Sequence, residues 1–144
     1  MIQYKILQYL ISHPEITSNG IECNWNDSNY QRDRIYIFGY LKEIEKCMEW
    51  LDKIYVPSNR EKDEMSSYSL KHYVEDYVGD YIPNGAFVTA VIMKNIKYKS
   101  FADCPHVFIR LKPKILKYHK NLFNNYANRP LDITSSSNQI GGSL

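Results

Sequence analysis

Along this 144-residue chain the spacing of apolar positions changes several times, and each change predicts an element. Ile2, Ile6, Leu7, Leu10 and Ile11 recur at threes and fours, which predicts an amphipathic helix over residues 1–12, stopped by Pro14; a short strand is the alternative reading of so brief a run. Between residues 14 and 34 the period is lost among turn formers, and Asn19-Gly20 between Ile16 and Ile21 predicts a hairpin with a type I′ turn. Leu41, Ile44, Met48, Leu51 and Tyr55 then form a continuous stripe, with Phe38 extending it backwards, so residues 34–55 read as one long helix. Its other face carries Lys42, Glu43, Glu45, Lys46, Glu49, Asp52 and Lys53, a solvated pattern. The β-branched and aromatic run 35–38 can also be read as a strand, with the helix starting at Gly39. Residues 56–67 hold charge and turn formers but little apolar matter, and predict a mobile linker.

Cap signals, periodicity and turn chemistry agree best over residues 66–111. Ser66 or Ser67 is placed to cap a helix whose apolar face is Tyr68, Leu70, Tyr73, Val74, Tyr77 and Val78, with Tyr81 beyond it. His72, Glu75 and Asp76 share its polar face, and Gly79 is placed to end it in the left-handed conformation. Asn84 is expected to cap a second helix, residues 85–95, apolar nearly all round and therefore the centre of the core. Residues 97–101 and 106–111 alternate Lys or Arg with Tyr, Phe, Val and Ile and predict a β-hairpin, its cations outward and its rings and branched side chains inward. A basic helix is expected over 114–126, and residues 131–144 read as a flexible polar tail behind a single globular domain, 1–130. The fold class is thus α+β: a small, mostly helical domain with one or two β-hairpins and a helix-turn-helix-hairpin unit at 66–111.

Charge sharpens this picture. Residues 1–80 hold 9 basic and 14 acidic side chains, net −5, whereas 81–144 hold 9 basic and 2 acidic, net +7. Such segregation suits either self-complementary packing or a basic surface for an anionic partner. Lys97, Lys99, Arg110, Lys112, Lys114, Lys117 and Lys120, with Arg129, are interleaved with Tyr98, Phe101, Phe108, Tyr118, Phe123 and Tyr126, the mixture that tracks phosphates and stacks on bases. Helix, turn, helix, hairpin is also the order of a winged helix, but a recognition helix needs outward polar side chains and 85–95 offers few beyond Thr89, Lys94 and Asn95. The 13 tyrosines, large contact surfaces of low entropy cost, equally allow a protein partner.

Signals for catalysis are sparse. His72 and Glu75 lie one turn apart on a helix, and Cys104-Pro105-His106 sets a thiol two residues from an imidazole, but neither pair brings a third ligand, an orienting group or an oxyanion donor. No cofactor or metal is expected, and an enzyme using His72 and Glu75 ranks third among the functions considered. Three widely spaced cysteines, Cys23, Cys47 and Cys104, suggest neither a disulfide framework nor a zinc site. With no export-type leader in residues 1–14 and no window of roughly 18 apolar residues, a cytoplasmic location away from the membrane is expected.

The stretch from Tyr68 through Glu75, the run Tyr81-Ile82, Asn84-Gly85-Ala86-Phe87 and the apolar helix after it resemble a segment of small uncharacterised proteins from bacterial phages, plasmids and integrative elements. That resemblance covers about residues 67–111 and carries no activity. It implies a non-enzymatic binding protein acting on a nucleic-acid-processing or defence machine, such as an anti-CRISPR inhibitor, with direct nucleic-acid binding as the alternative.

Overall fold

A computed structural model describes residues 1–22, 24–26, 28–114 and 116. The chain is α+β, with five α-helices and two small antiparallel sheets among these residues. The expected helix over 1–12 is α1, Ile2–Ser12, which buries Ile6 and Leu10 one turn apart. A minimal hairpin follows, β1 Ile16–Thr17 and β2 Gly20–Ile21, with Thr17 opposite Gly20. Its turn is therefore Ser18-Asn19, one residue earlier than predicted, and neither residue has positive φ, so it is not type I′. The Thr17 hydroxyl accepts from the Asn19 amide (3.1 Å) and donates to the Gly20 carbonyl (3.3 Å), bracing the turn from the side.

The long helix expected over 34–55 is two helices: α2, Ser28–Ile37, and α3, Leu41–Ile54, joined by a 3-10 turn at Phe38–Tyr40. Residues 35–37 are helical, so the strand alternative fails, and helix starts well inside the segment where no period was visible. The reason is composition: α2 buries only Tyr30 and Ile37, too few to write a stripe. Its structural contribution comes from Arg34, whose guanidinium donates to the Leu10 carbonyl (2.6 Å), the His13 carbonyl (3.2 Å) and the Ile16 carbonyl (2.9 Å). It thereby neutralises the carbonyl end of α1 while lying over the Phe38 ring. On α3 the buried face is Ile44, Cys47, Trp50, Leu51 and Ile54.

Residues 56–67, expected as a linker, instead form a 3-10 turn at Glu61–Asp63 and a strand, β3, Glu64–Ser66. Met65 is the strand's single large apolar residue, which is why periodicity did not reveal it. Helix α4, Ser67–Val78, begins with the Ser66 hydroxyl accepting from the Ser69 amide and ends at left-handed Gly79, as the cap signals predict. Helix α5, Asn84–Met93, is buried without interruption from Asn84 to Val91 and packs Phe87 edge-on against Trp50. Each of its large side chains gains about 1.5–3 kcal/mol from burial before entropy is counted.

Asn84 does not cap this helix; the cap position is Pro83 and has no side-chain bond. Asn84 is instead a buried tie. It accepts from the Ser67 hydroxyl (2.8 Å) and donates to the Asn19 carbonyl (2.8 Å), while Ser67 also takes the Val107 amide (3.1 Å). Four elements thus meet at one satisfied polar junction in an apolar interior. Two glycines permit that closeness: a Cβ on Gly85 would fall 1.8 Å from the Thr17 carbonyl oxygen, and one on Gly20 2.1 Å from that of Pro105.

The predicted hairpin is present as β4, Lys99–Ser100, and β5, Val107–Arg110, but it is part of a three-stranded sheet ordered β3-β5-β4. Lys99 lies opposite Phe108, and Glu64 opposite Arg110. Val107, Ile109 and Leu111 are buried beneath the sheet. The expected basic helix over 114–126 is seen only in its first residues, Pro113, Lys114 and Leu116 being helical; the rest of it, Lys117, Lys120 and the tail 131–144 lie outside the described residues.

Candidate nucleic-acid interface

By the observed register Lys99, Phe108, Arg110, Glu64 and Ser66 share the outer face of the sheet, while Lys97 leads into β4, Phe101 follows it and Lys112 lies two residues beyond β5. The aromatic rings expected inside are thus partly outside. Phe101 is 54% exposed and meets Phe108 edge-on at 5.4 Å between centroids. Phe108 is half-buried, and Tyr98 is exposed at the groove's side.

A groove of about 490 Å³ runs along this face, lined among others by Tyr55, Asn59, Glu64, Tyr98 and Phe108. Lys97, Lys99 and Arg110 also line it. Two of these three cations share one carboxylate: Glu64 lies 3.5 Å from the Lys99 ammonium and 3.5 Å from Nε of Arg110. Arg110 also donates to the Asn59 carbonyl. Lys97, Lys112 and Lys114 are exposed and enter no ion pair among the described residues. Partly exposed pairs of this kind are worth at most about 1 kcal/mol, so an arriving phosphate can displace Glu64 at small cost.

The other predicted residues sort differently. His72 Nδ1 is 2.8 Å from the Glu75 carboxylate, as their helical spacing suggests. The second oxygen of Glu75 is committed: it accepts from Lys71 (3.1 Å) and from the Ile82 amide (3.0 Å). Burial works to raise the Glu75 carboxyl, but the Ile82 amide, Lys71 and His72 outweigh it and hold it below the ordinary carboxylate range. Glu75 is therefore a tie from α4 to the turn before α5. Asp76 is exposed on the same helix.

Cys104 and His106 part ways. Cys104 lines a pocket of about 250 Å³ with Asn19, Ile21, Glu22, Asp103 and Pro105. His106 packs its ring 5.4 Å from that of Tyr68, with Nδ1 buried and without a hydrogen-bond partner. Cys47 is enclosed in the core, where burial pushes its thiol far above the usual range.

Lys71 was hidden in the sequence: it reads as a surface lysine but is only 4% exposed. Its ammonium lies over the rings of Tyr81 (4.8 Å) and Tyr68 (5.3 Å) and pairs with Glu75. Its place between Leu70 and His72 gives no hint of burial, which depends on Tyr68, Tyr81 and Glu75 closing around it in the fold.

No group of three or more His, Cys, Asp or Glu side chains among the described residues is placed to hold a metal ion, and no helix among them is long and apolar enough to cross a membrane. No family model, curated protein or solved structure matches the chain.

Proposed function

We propose that this protein is a non-catalytic binding protein of a phage or mobile element that acts on a nucleic-acid machine, and that it contacts single-stranded nucleic acid directly through the outer face of its three-stranded sheet. The observation that carries this reading is the grouping at the outer side of the sheet of rings, Phe101 exposed and Phe108 half-buried with Tyr98 beside them, and cations, Lys97, Lys99, Arg110 and Lys112. Rings alone suit an apolar partner, and cations alone suit any polyanion. Their combination suits a chain that alternates flat bases with phosphates. A single strand fits better than a duplex because only unpaired bases offer their faces to Phe101 and Phe108, and because α5, buried from Asn84 to Val91, cannot enter a major groove.

Fluorescence anisotropy with a labelled 12-nucleotide strand and its duplex tests the reading. Four phosphate contacts, one for each of these cations, predict a slope of log K against log salt on the order of −3 for a single strand. The strand should bind more tightly than the duplex, and Lys97→Glu with Lys112→Glu should abolish the difference. Absence of any salt-sensitive binding at low ionic strength refutes direct nucleic-acid contact. A separate observation, the tyrosine ridge described next, favours a protein partner, as the inhibitor reading requires.

A further inference from the structure

Beside the outer sheet face, partly exposed aromatic side chains from separate elements line up as a ridge that ends at Tyr68, next to His106. Tyr36 on α2 and Tyr40 on the following 3-10 turn lie one helical turn apart; Tyr40 meets Tyr81 edge-on, with centroids 6.4 Å apart. Tyr81 and Tyr68 both rest on the Lys71 ammonium, and Tyr68 meets His72 edge-on at 5.1 Å. Tyr36, Tyr68 and Tyr81 are each at least half exposed. A patch of this kind is uncommon on a surface that meets only water.

The electrostatics of the ridge are one-sided. Its cation, Lys71, is buried and neutralised by Glu75. Asp76 follows Tyr68 and His72 along one helix face, and Asp80 directly precedes Tyr81. Burial first, and then Tyr81, Glu43, Tyr36 and Asp80, raise the Tyr40 hydroxyl above its ordinary range; Glu43 lies three residues beyond Tyr40 at the start of α3. Glu43, Asp76 and Asp80 enter no ion pair among the described residues. Exposed rings edged by carboxylates, of which Asp80 also accepts the Tyr81 amide (2.8 Å), match a guanidinium, which lies flat on an aromatic face while its N–H fork reaches an acid.

We infer that the ridge of Tyr36, Tyr40, Tyr81 and Tyr68 is a docking surface for an arginine-bearing basic segment of a protein partner. The charge of the ridge argues against nucleic acid there, so the two surfaces divide the work: the sheet face takes an anion and the ridge takes a cation. Lys71 already shows the chemistry within the chain, as a cation held between two of these rings by a carboxylate. The inference does not rest on nucleic-acid binding by the sheet.

The test is a titration of the isotope-labelled full chain, followed by NMR, with three short peptides alternating Gly-Ser with Arg, Lys or Glu. The Arg peptide should shift Tyr36, Tyr40, Tyr68 and Tyr81 while leaving Lys99, Phe108 and Arg110 in place, and should bind at least about threefold tighter than the Lys peptide. Tyr81→Ala should weaken it about tenfold, and Asp80→Asn about threefold, with the amide spectrum otherwise retained. The inference is overturned by no shift at 1 mM Arg peptide in low salt, by shifts outside the ridge, by equal binding of the Lys peptide, or by unchanged affinity in a folded Tyr81→Ala variant. Ridge shifts that depend on the protein's own concentration, without peptide, identify a second copy as the occupant and also overturn it.

Discussion

The stretch 66–111 contributes two regions that follow opposite rules. Around α5 every named polar group is used internally: Asn84 joins Ser67 to the Asn19 carbonyl, Ser67 takes the Val107 amide, and Thr89 returns its hydroxyl to the Gly85 carbonyl. On the outer face of the sheet, some residues away along the same chain, Lys97 and Lys112 stand unpaired and Phe101 stays exposed. Folding accounts for the first region completely, since an orphaned polar group there would cost about 1–3 kcal/mol. It does not account for the second, because exposed cations and rings add little to stability. The difference separates what the chain needs in order to fold from what the proposed function would use.

Substitutions that enlarge the sealed region should have the largest effects. Gly85→Val should prevent folding, because even a Cβ meets the Thr17 carbonyl; loss of the cooperative thermal transition in circular dichroism is the expected result. Phe87→Ala removes the ring packed on Trp50 and should cost about 3–5 kcal/mol in urea unfolding. Asn84→Ala should cost about 2 kcal/mol by leaving the Ser67 hydroxyl and Asn19 carbonyl without a partner, and Asn84→Asp should not restore it, since a carboxylate cannot donate to Asn19. On the sheet face, Phe108→Ala should change stability by no more than about 1 kcal/mol yet weaken a single strand about tenfold. A folded Phe108→Ala variant with full affinity would break the division between the regions.

Two smaller effects sharpen it. Glu64→Gln removes the carboxylate shared by Lys99 and Arg110 and should tighten single-strand binding about threefold, with little change in stability. Glu75 belongs to the structural side. Its folded pKa is depressed, so the stability it contributes is present above its ordinary value of 4.5 and is lost as pH falls through the lower, folded value. Glu75→Gln should therefore lower the melting temperature modestly at pH 7 and flatten its decline below about pH 4.5, without altering strand affinity at neutral pH.

How much of this was legible in the sequence depended on whether a residue's role is local. The Ser66 cap, the Gly79 terminus and the apolar α5 follow from neighbours in sequence, and all were readable. The β4–β5 hairpin was readable too, but its facing was only half so: Lys99 and Arg110 do point outward, whereas Phe101 and Phe108 join them because the buried set is Val107, Ile109 and Leu111. Strand β3 was hidden because it is short, polar and paired with a partner more than forty residues away. Without it the position of Glu64 beside Lys99 and Arg110 could not be inferred. Asn84 looked like a cap because asparagine before an apolar run usually is one; its bonds to Ser67 and Asn19 depend on three other elements converging. Lys71 and the tyrosine ridge are tertiary in the same sense, assembled from α2, α4 and two turns.

The central claim is that the outer sheet face, rather than the sealed core or the ridge, meets the strand. Photocrosslinking of a 12-nucleotide single strand carrying 4-thiothymidine, followed by peptide mapping, tests it most directly. Adducts are expected on Tyr98, Phe101 or Phe108, lost in the Phe101→Ala and Phe108→Ala double variant. Adducts concentrated on Tyr36, Tyr68 or Tyr81, or a crosslink pattern unchanged in that double variant, would contradict it.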